Sequence, residues 1–309
     1  MSTTNVPPLP IERSTKGPFR LALAMVIVTG VTILWGALTT STGSGLAFAD
    51  WPLSDGQLMP ESSYKTLPGF FEHFHRLFAS LAGVLSLSLA LWLQGKGLGD
   101  AKARATAWLG GCLILTQGII GGVGVLEGLP AITSVTHGTL AQLTLATFVW
   151  VTYQLSERYR ATPPAPGVAP GTGRKLVVVA LFFVVLQTVL GAVARHTNSP
   201  HALWTHVGHS FIVFVLAVIA TSFSVGKLSD TPGIRGLSST IVLMLIVQIA
   251  LGFVALAIRN SAGKTPENVA NLGTATVISV HVLIGALLTV LMAALAAHVF
   301  RATRSSSLS

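Results

Sequence analysis

The chain has 309 residues, of which 51% are hydrophobic and 9% charged, against roughly 25% charged in an average soluble domain. A mean hydropathy of +0.71 excludes a water-soluble globule, and a single cysteine, Cys112, excludes an internal disulfide, a CxxC site and a thiolate metal cluster. The net charge of +9 does not indicate nucleic acid, because the cations lie between apolar runs instead of clustering on one face.

The chain opens with a polar, Pro-rich stretch of twenty residues. The first apolar run, 19–40, has no small-residue cleavage site and is expected as a retained helix. Seven further runs follow at 74–93, 105–125, 133–155, 175–194, 203–225, 237–258 and 274–300. Each is long enough to cross a hydrocarbon core about 30 Å thick. The expected fold is therefore an all-α integral membrane protein with eight transmembrane helices.

Between the first two runs lies a connection, 41–69, that is long for neighbouring helices. Loops of that length are usually functional or disordered. Its Phe48 and Trp51, with Phe70 and Phe71, suit either interfacial anchors or a lid that keeps water from the bundle mouth. The TGSG stretch inside it lacks the pattern of a phosphate cradle. The second run begins Glu72, His73, Phe74, His75, Arg76. Glu72 and His75 share a helix face, so a carboxylate is expected beside whatever His75 binds. Arg76 is expected to pair with Glu72 or with an acidic group of a ligand. His73 points away and is expected to serve the loop only.

Three later runs carry a glutamine one turn before a glycine, at Gln117/Gly121, Gln187/Gly191 and Gln248/Gly252, and the first run ends similarly at Gly36. Close helix packing accounts for this spacing, and its repetition indicates two pseudo-symmetric four-helix bundles, 1–155 and 174–309. The Pro- and Gly-rich segment 156–173 between them reads as a linker that neither packs nor forms a helix. Charges orient the array. The termini and even-numbered loops carry fourteen Lys and Arg residues and the other side five, which places both termini in the cytoplasm of a cell-membrane protein.

The even-numbered runs open with histidines: His75, His137, His206 with His209, and His281. In this topology they lie at one level, in the outer half of the membrane. An ionisable side chain in a spanning helix normally faces the bundle interior or a functional path. A zinc site takes three or four ligands in one cluster, whereas two imidazoles on different helices suit a six-coordinate heme iron. One heme per half is expected. In the sixth run His206 is read in the place of Glu72 and His209 in the place of His75, so His209 is favoured as ligand, with His206 the alternative. Only the first half then has a carboxylate beside its heme, and if one half does chemistry while the other passes electrons, that carboxylate marks the reactive half.

The run Thr42 to Leu46 (TGSGL), then Asp50, Trp51, Pro52, Leu53 and Gly56, together with Glu72, His75 and Arg76 as ExxHR, resembles the heme A synthase family, the COX15/CtaA-type proteins. Arg195, His196 and Thr197 resemble a second copy of the loop. The resemblance covers essentially all eight spans. It implies an oxidoreductase that converts the C8 methyl of heme O to a formyl group by successive hydroxylations, giving heme A for cytochrome oxidase. It further implies that Glu72 is catalytic, that His75 and His137 hold the substrate heme, and that His209 with His281 holds a heme b cofactor. The 1–155 bundle is then the substrate-heme half and 174–309 the heme b half. A heme O synthase is the implied substrate donor. The electron acceptor is unnamed, a homo-oligomer is allowed, and membrane lipid is the surrounding partner. Many family members carry a cysteine pair in the first outer loop, and Phe48 and Ser54 stand at those positions. Two rival readings use the same histidines: a non-enzymatic heme carrier or assembly factor, which has no need of Glu72, and a diheme quinol-linked electron-transfer cytochrome.

Overall fold

The computed structural model describes residues 15–165, 170–197, 199–261 and 272–304. The polar N-terminal stretch up to residue 14, part of the expected linker (166–169) and the outer-side Lys264 lie outside them. Among the described residues every long element is a helix: α1 (Lys16–Ser41), α2 (Ser62–Lys65), α3 (Leu67–Lys96), α4 (Ala101–Leu126), α5 (Ala131–Leu155), α6 (Glu157–Ala161), α7 (Pro170–His196), α8 (Pro200–Lys227), α9 (Ile234–Ser261) and α10 (Leu272–Ala302). Seven of these are long and apolar enough to cross a membrane: α1, α3, α4, α7, α8, α9 and α10. The protein is thus an all-helical, multi-pass membrane protein. The 25-residue α5 falls outside that set, because serine, threonines, His137 and glutamines interrupt its apolar content.

Local chemistry sets the helix ends. Thr66 caps α3 by accepting from the Gly69 amide at 3.2 Å, with Pro68 in the first turn, and Gly97 closes the helix in the left-handed region at φ 59°. Asp100 caps α4 through the Ala103 amide at 2.7 Å, and Ser199 caps α8 through the Ala202 amide at 3.3 Å. Within α1 the hydroxyls of Thr29, Thr32, Thr39 and Thr40 bond back to carbonyls one turn earlier. In lipid this satisfies groups that water cannot reach.

Two expected boundaries differ. The second long helix starts at Leu67, so Phe70 and Phe71 belong to α3 and not to a loop lid; both rings pack on Trp35 of α1, with centroids 5.9 and 6.4 Å away. The segment 156–173 is also not wholly extended. Ser156 accepts from the Tyr159 amide at 3.1 Å and starts α6, and the Ala165 amide donates to the Ala302 carbonyl at 2.7 Å. A good N-cap and a docking surface on α10 overcome the proline content.

Buried side chains of α1, α3, α4 and α5 form one apolar cluster around Met25, Leu89, Leu93, Phe148 and Leu155. A second, around Val177, Ile241, Leu245, Met292 and Leu295, draws on α7 to α10. Ile33, Leu145 and Ala286 join the two across the seam where α1 and α5 meet α10. Polar contacts fasten that seam at both ends. At the end carrying α6, the Tyr153 hydroxyl bonds His298 Nδ1, His298 Nε2–H donates to the Pro232 carbonyl at 2.9 Å, and Arg301 lies over the Tyr159 ring. At the opposite end, Arg195 of α7 donates to α1, where Ser41 meets Ser279 of α10.

Candidate functional site

Each of four long helices presents a glycine to an imidazole on the helix that follows it among the long ones. A Cβ on Gly36 would lie 2.7 Å from His75 Cε1; the corresponding distances are 2.8 Å for Gly121 and His137, 2.8 Å for Gly191 and His206, and 3.2 Å for Gly252 and His281. The glycines are seats for rings; at Gly36, Gly121 and Gly191 a side chain would displace the ring, and at Gly252 the fit is looser. The glutamines one turn earlier complete the seats. Gln117 Nε2–H donates to the His137 carbonyl at 2.8 Å, Gln187 Nε2–H to the His206 carbonyl at 2.9 Å, and Gln248 Nε2 lies 3.3 Å from His281 Nε2. Helix packing alone is the expectation for this spacing, and the structure adds that the pattern cradles the histidines.

The four seated rings meet in two pairs. His75 and His137 have centroids 6.3 Å apart with planes at 76°, and His206 and His281 have centroids 6.4 Å apart at 84°. Two imidazoles on opposite sides of one metal ion, each bound at about 2 Å with a further ~1 Å to the ring centre, have centres about 6 Å apart. In the first pair His75 Nδ1–H donates to the Thr32 carbonyl and His137 Nδ1–H to the Gln117 carbonyl, both at 3.1 Å. That leaves each Nε2 unprotonated, as a metal requires. In the second pair Nδ1 of His206 and of His281 is buried without a hydrogen-bond partner among the described residues. All four rings are half-buried, so space remains around them. Among the described residues no group of three or more His, Cys, Asp or Glu side chains has metal-holding geometry. The residues present fit two bis-imidazole heme sites.

The two sixth-run candidates, His209 and its alternative His206, take different positions. His206, not His209, sits on its glycine and faces His281, so His206 stands where His75 stands and Leu203 falls in the place of Glu72. His209 lies one turn on, donating through Nδ1–H to Gln187 Oε1 at 2.6 Å and stacking on Phe183 with centroids 5.4 Å apart. The carboxylate asymmetry survives, with Leu203 as the apolar counterpart of Glu72.

Glu72 is 2% exposed. Its Oε1 pairs with Arg76, and its Oε2 accepts from the Phe48 amide at 3.0 Å. Arg76 also donates to the carbonyls of Phe48 at 3.1 Å, Asp50 at 2.8 Å and Leu53. Both side chains are thus engaged by the outer loop, and the described contacts of Arg76 are with the loop and Glu72. His73 is 3% exposed; it bonds Ser54 Oγ at 3.0 Å, approaches Met59 Sδ at 3.2 Å and meets the Phe48 ring edge-on. Phe48 and Ser54 converge on this one imidazole. Asp50 ties the loop tip by accepting from the Gly56 amide at 2.8 Å and the Asp55 amide at 2.9 Å. These backbone donors, Gly56 first, hold its carboxyl below the usual carboxylate range. The Trp51 indole lies against Gly122 of α4, so the loop spans from α3 to α4 as a cover.

The chain is similar in sequence to several curated proteins. Curated relatives include a heme A synthase of Symbiobacterium thermophilum, 29% identical over 59% of this chain and 60% of its own length. The heme A synthase of Halalkalibacterium halodurans is 31% identical over 59% of each. That of Rhodospirillum centenum is 26% identical over 79% of this chain and 82% of its own length. The match to the first two therefore spans less than two thirds of those relatives. The profile of the COX15-CtaA family, described as cytochrome oxidase assembly proteins, matches residues 19–213, which is more than half of the chain and includes the outer loop, Glu72, His75, Arg76, His137 and His206. On that match the chain belongs to the COX15-CtaA family.

Proposed function

We propose that this protein is a heme A synthase, an oxidoreductase that converts the C8 methyl of heme O to a formyl group by successive hydroxylations. The observation that carries the reading is the pairing itself: two facing imidazole pairs on glycine seats, with a buried carboxylate one turn from only one of them. The names of the curated relatives support it.

In this reading α1, α3, α4, α5 and α7 to α10 are eight spans in two pseudo-symmetric four-helix bundles, with α5 carried across the membrane by its neighbours. The separate apolar clusters support that division. Both termini lie in the cytoplasm of a cell-membrane protein, as the fourteen-to-five distribution of Lys and Arg supports. His75 and His137 hold the substrate heme, and His206 with His281 holds heme b. Bound heme supplies the iron redox chemistry by which the methyl group is oxidised. The chain's own residues do the rest. The glycine seats fix ring position, and the carbonyls of Thr32 and Gln117 fix the tautomer of the first pair. Phe48 and Trp51 exclude water. Glu72, oriented by Arg76 and the Phe48 amide, takes up a proton at its carboxylate. A heme O synthase delivers the substrate, and an electron acceptor completes the oxidation.

Purification from a host that makes heme O, followed by pigment extraction and an optical spectrum, tests this. Heme A together with heme b is the expected result. Heme b alone, from protein that carries its full pigment load, would overturn the reading.

A further inference from the structure

Arg195 lies at the C-terminal end of α7, one turn beyond Gly191, the seat of His206. Its Nη2 reaches across the seam and donates to the Ala37 carbonyl at 2.9 Å and to Ser41 Oγ at 2.7 Å. Ala37 directly follows Gly36, the seat of His75. Ser41 Oγ is 3.2 Å from Ser279 Oγ, and Ser279 is fully buried two residues before His281. One guanidinium therefore lies one turn from the seat of His206 and beside the seat of His75, and through Ser41 it is linked to Ser279 on the helix that carries His281.

Among the described residues its charge is uncompensated. Among the described residues no carboxylate lies within 4.0 Å of Arg195, in contrast to Arg76, which Glu72 neutralises. A guanidinium carries five N–H donors. The two acceptors named above engage Nη2 only, and among the described residues Nε and Nη1 meet none. Desolvating a cation is costly unless an anion answers it, and in a spanning helix end the answering group has to come from within the bundle. The ligand that two imidazole pairs fit is a tetrapyrrole, and its carboxylates are anions matched to the free fork of an arginine.

We propose that Arg195 binds a carboxylate of the heme held by His206 and His281, anchored from behind by the first half through Ala37 and Ser41. The proposal rests on the heme reading of that histidine pair. Arg195 is a ligand-binding residue shared by both halves, and the seam is part of the site.

The test uses the full-length apoprotein, purified in detergent from a heme-deficient host and titrated with iron protoporphyrin IX or with its dimethyl ester, following the Soret band. Wild type is expected to bind the free acid roughly 10- to 100-fold more tightly than the ester, the worth of a charge-assisted hydrogen bond. Arg195→Gln is expected to bind both alike. Arg195→Lys, which keeps the charge but not the fork, is expected to retain part of the preference. Wild type that binds both pigments equally overturns the proposal with no variant needed. A full wild-type preference in Arg195→Gln, or in Arg195→Lys should the glutamine variant not fold, overturns it too. Wild type that takes up neither pigment refutes the heme reading itself.

Discussion

Substituting alanine at the ring seats gives a graded perturbation whose order is fixed by geometry. A Cβ at Gly36, Gly121, Gly191 and Gly252 would stand 2.7, 2.8, 2.8 and 3.2 Å from the facing histidine's Cε1, where ordinary contact begins at 3.4 Å. To regain that contact the His206 ring must retreat by about 0.6 Å in Gly191→Ala, and the His281 ring by about 0.2 Å in Gly252→Ala; metal sites hold their bond lengths to about 0.2 Å. Helix propensity acts the other way, since alanine is favoured over glycine by about 1 kcal/mol. Overpacking costs about 1 to 3 kcal/mol. Any loss must then come from the displaced ring and not from the helix. The assay is the optical spectrum of purified protein at matched expression. Gly36→Ala, Gly121→Ala and Gly191→Ala are expected to lose low-spin, six-coordinate character at the affected site, with Gly252→Ala near wild type. An unaltered low-spin spectrum in the first three, or the reverse order across the series, would refute the seat argument.

Three further outcomes follow from the site. His206→Ala is expected to remove the second pigment, whereas His209→Ala keeps six-coordination; pigment content and spectrum of the two variants check this, and the opposite result would restore His209 as the ligand. Glu72→Gln is expected to keep full pigment loading while heme A formation falls about 10²- to 10⁴-fold, the range for a positioned acid or base; undiminished product in extracted pigment would remove Glu72 from catalysis. The Asp50 carboxyl, held below its ordinary range by the Gly56 and Asp55 amides, stabilises the outer loop fully above the unfolded value near pH 4, and that contribution is lost as pH falls through the depressed folded value. Hydrogen exchange at the Gly56 and Asp55 amides is expected to show constant protection from pH 8 to 5 in native protein and loss of it in Asp50→Ala. Equal protection in the variant would contradict the assignment.

Much of this architecture was legible in the sequence because lipid simplifies the code. A run of about twenty apolar residues must become a helix when no water can satisfy its backbone, and all eight expected runs fall within long helices. The ends were less legible. Leu67 to His73 joins α3 because Thr66 and Pro68 start the helix before the strongly apolar stretch. The histidine pairs were visible as matched positions, yet choosing between His206 and His209 required knowing which one finds a glycine across the helix interface. The repeat of glycines and glutamines is also what helix packing alone would produce. What they seat is a tertiary fact, and only the order of each QxxxG run before a histidine-bearing helix hinted at it. In the sequence Arg195 stands out only as part of a loop-like motif. Its neighbours Ala37, Ser41 and Ser279 lie far away in the chain.

The seam between α1, α5 and α10 is riveted at its two extremities, by Tyr153 with His298 at one and by Arg195 with Ser41 and Ser279 at the other. A joint pinned at both ends resists sliding and rocking in a way that one pinned at its middle does not. The separation of the His75/His137 pair from the His206/His281 pair is accordingly braced from both ends of the seam.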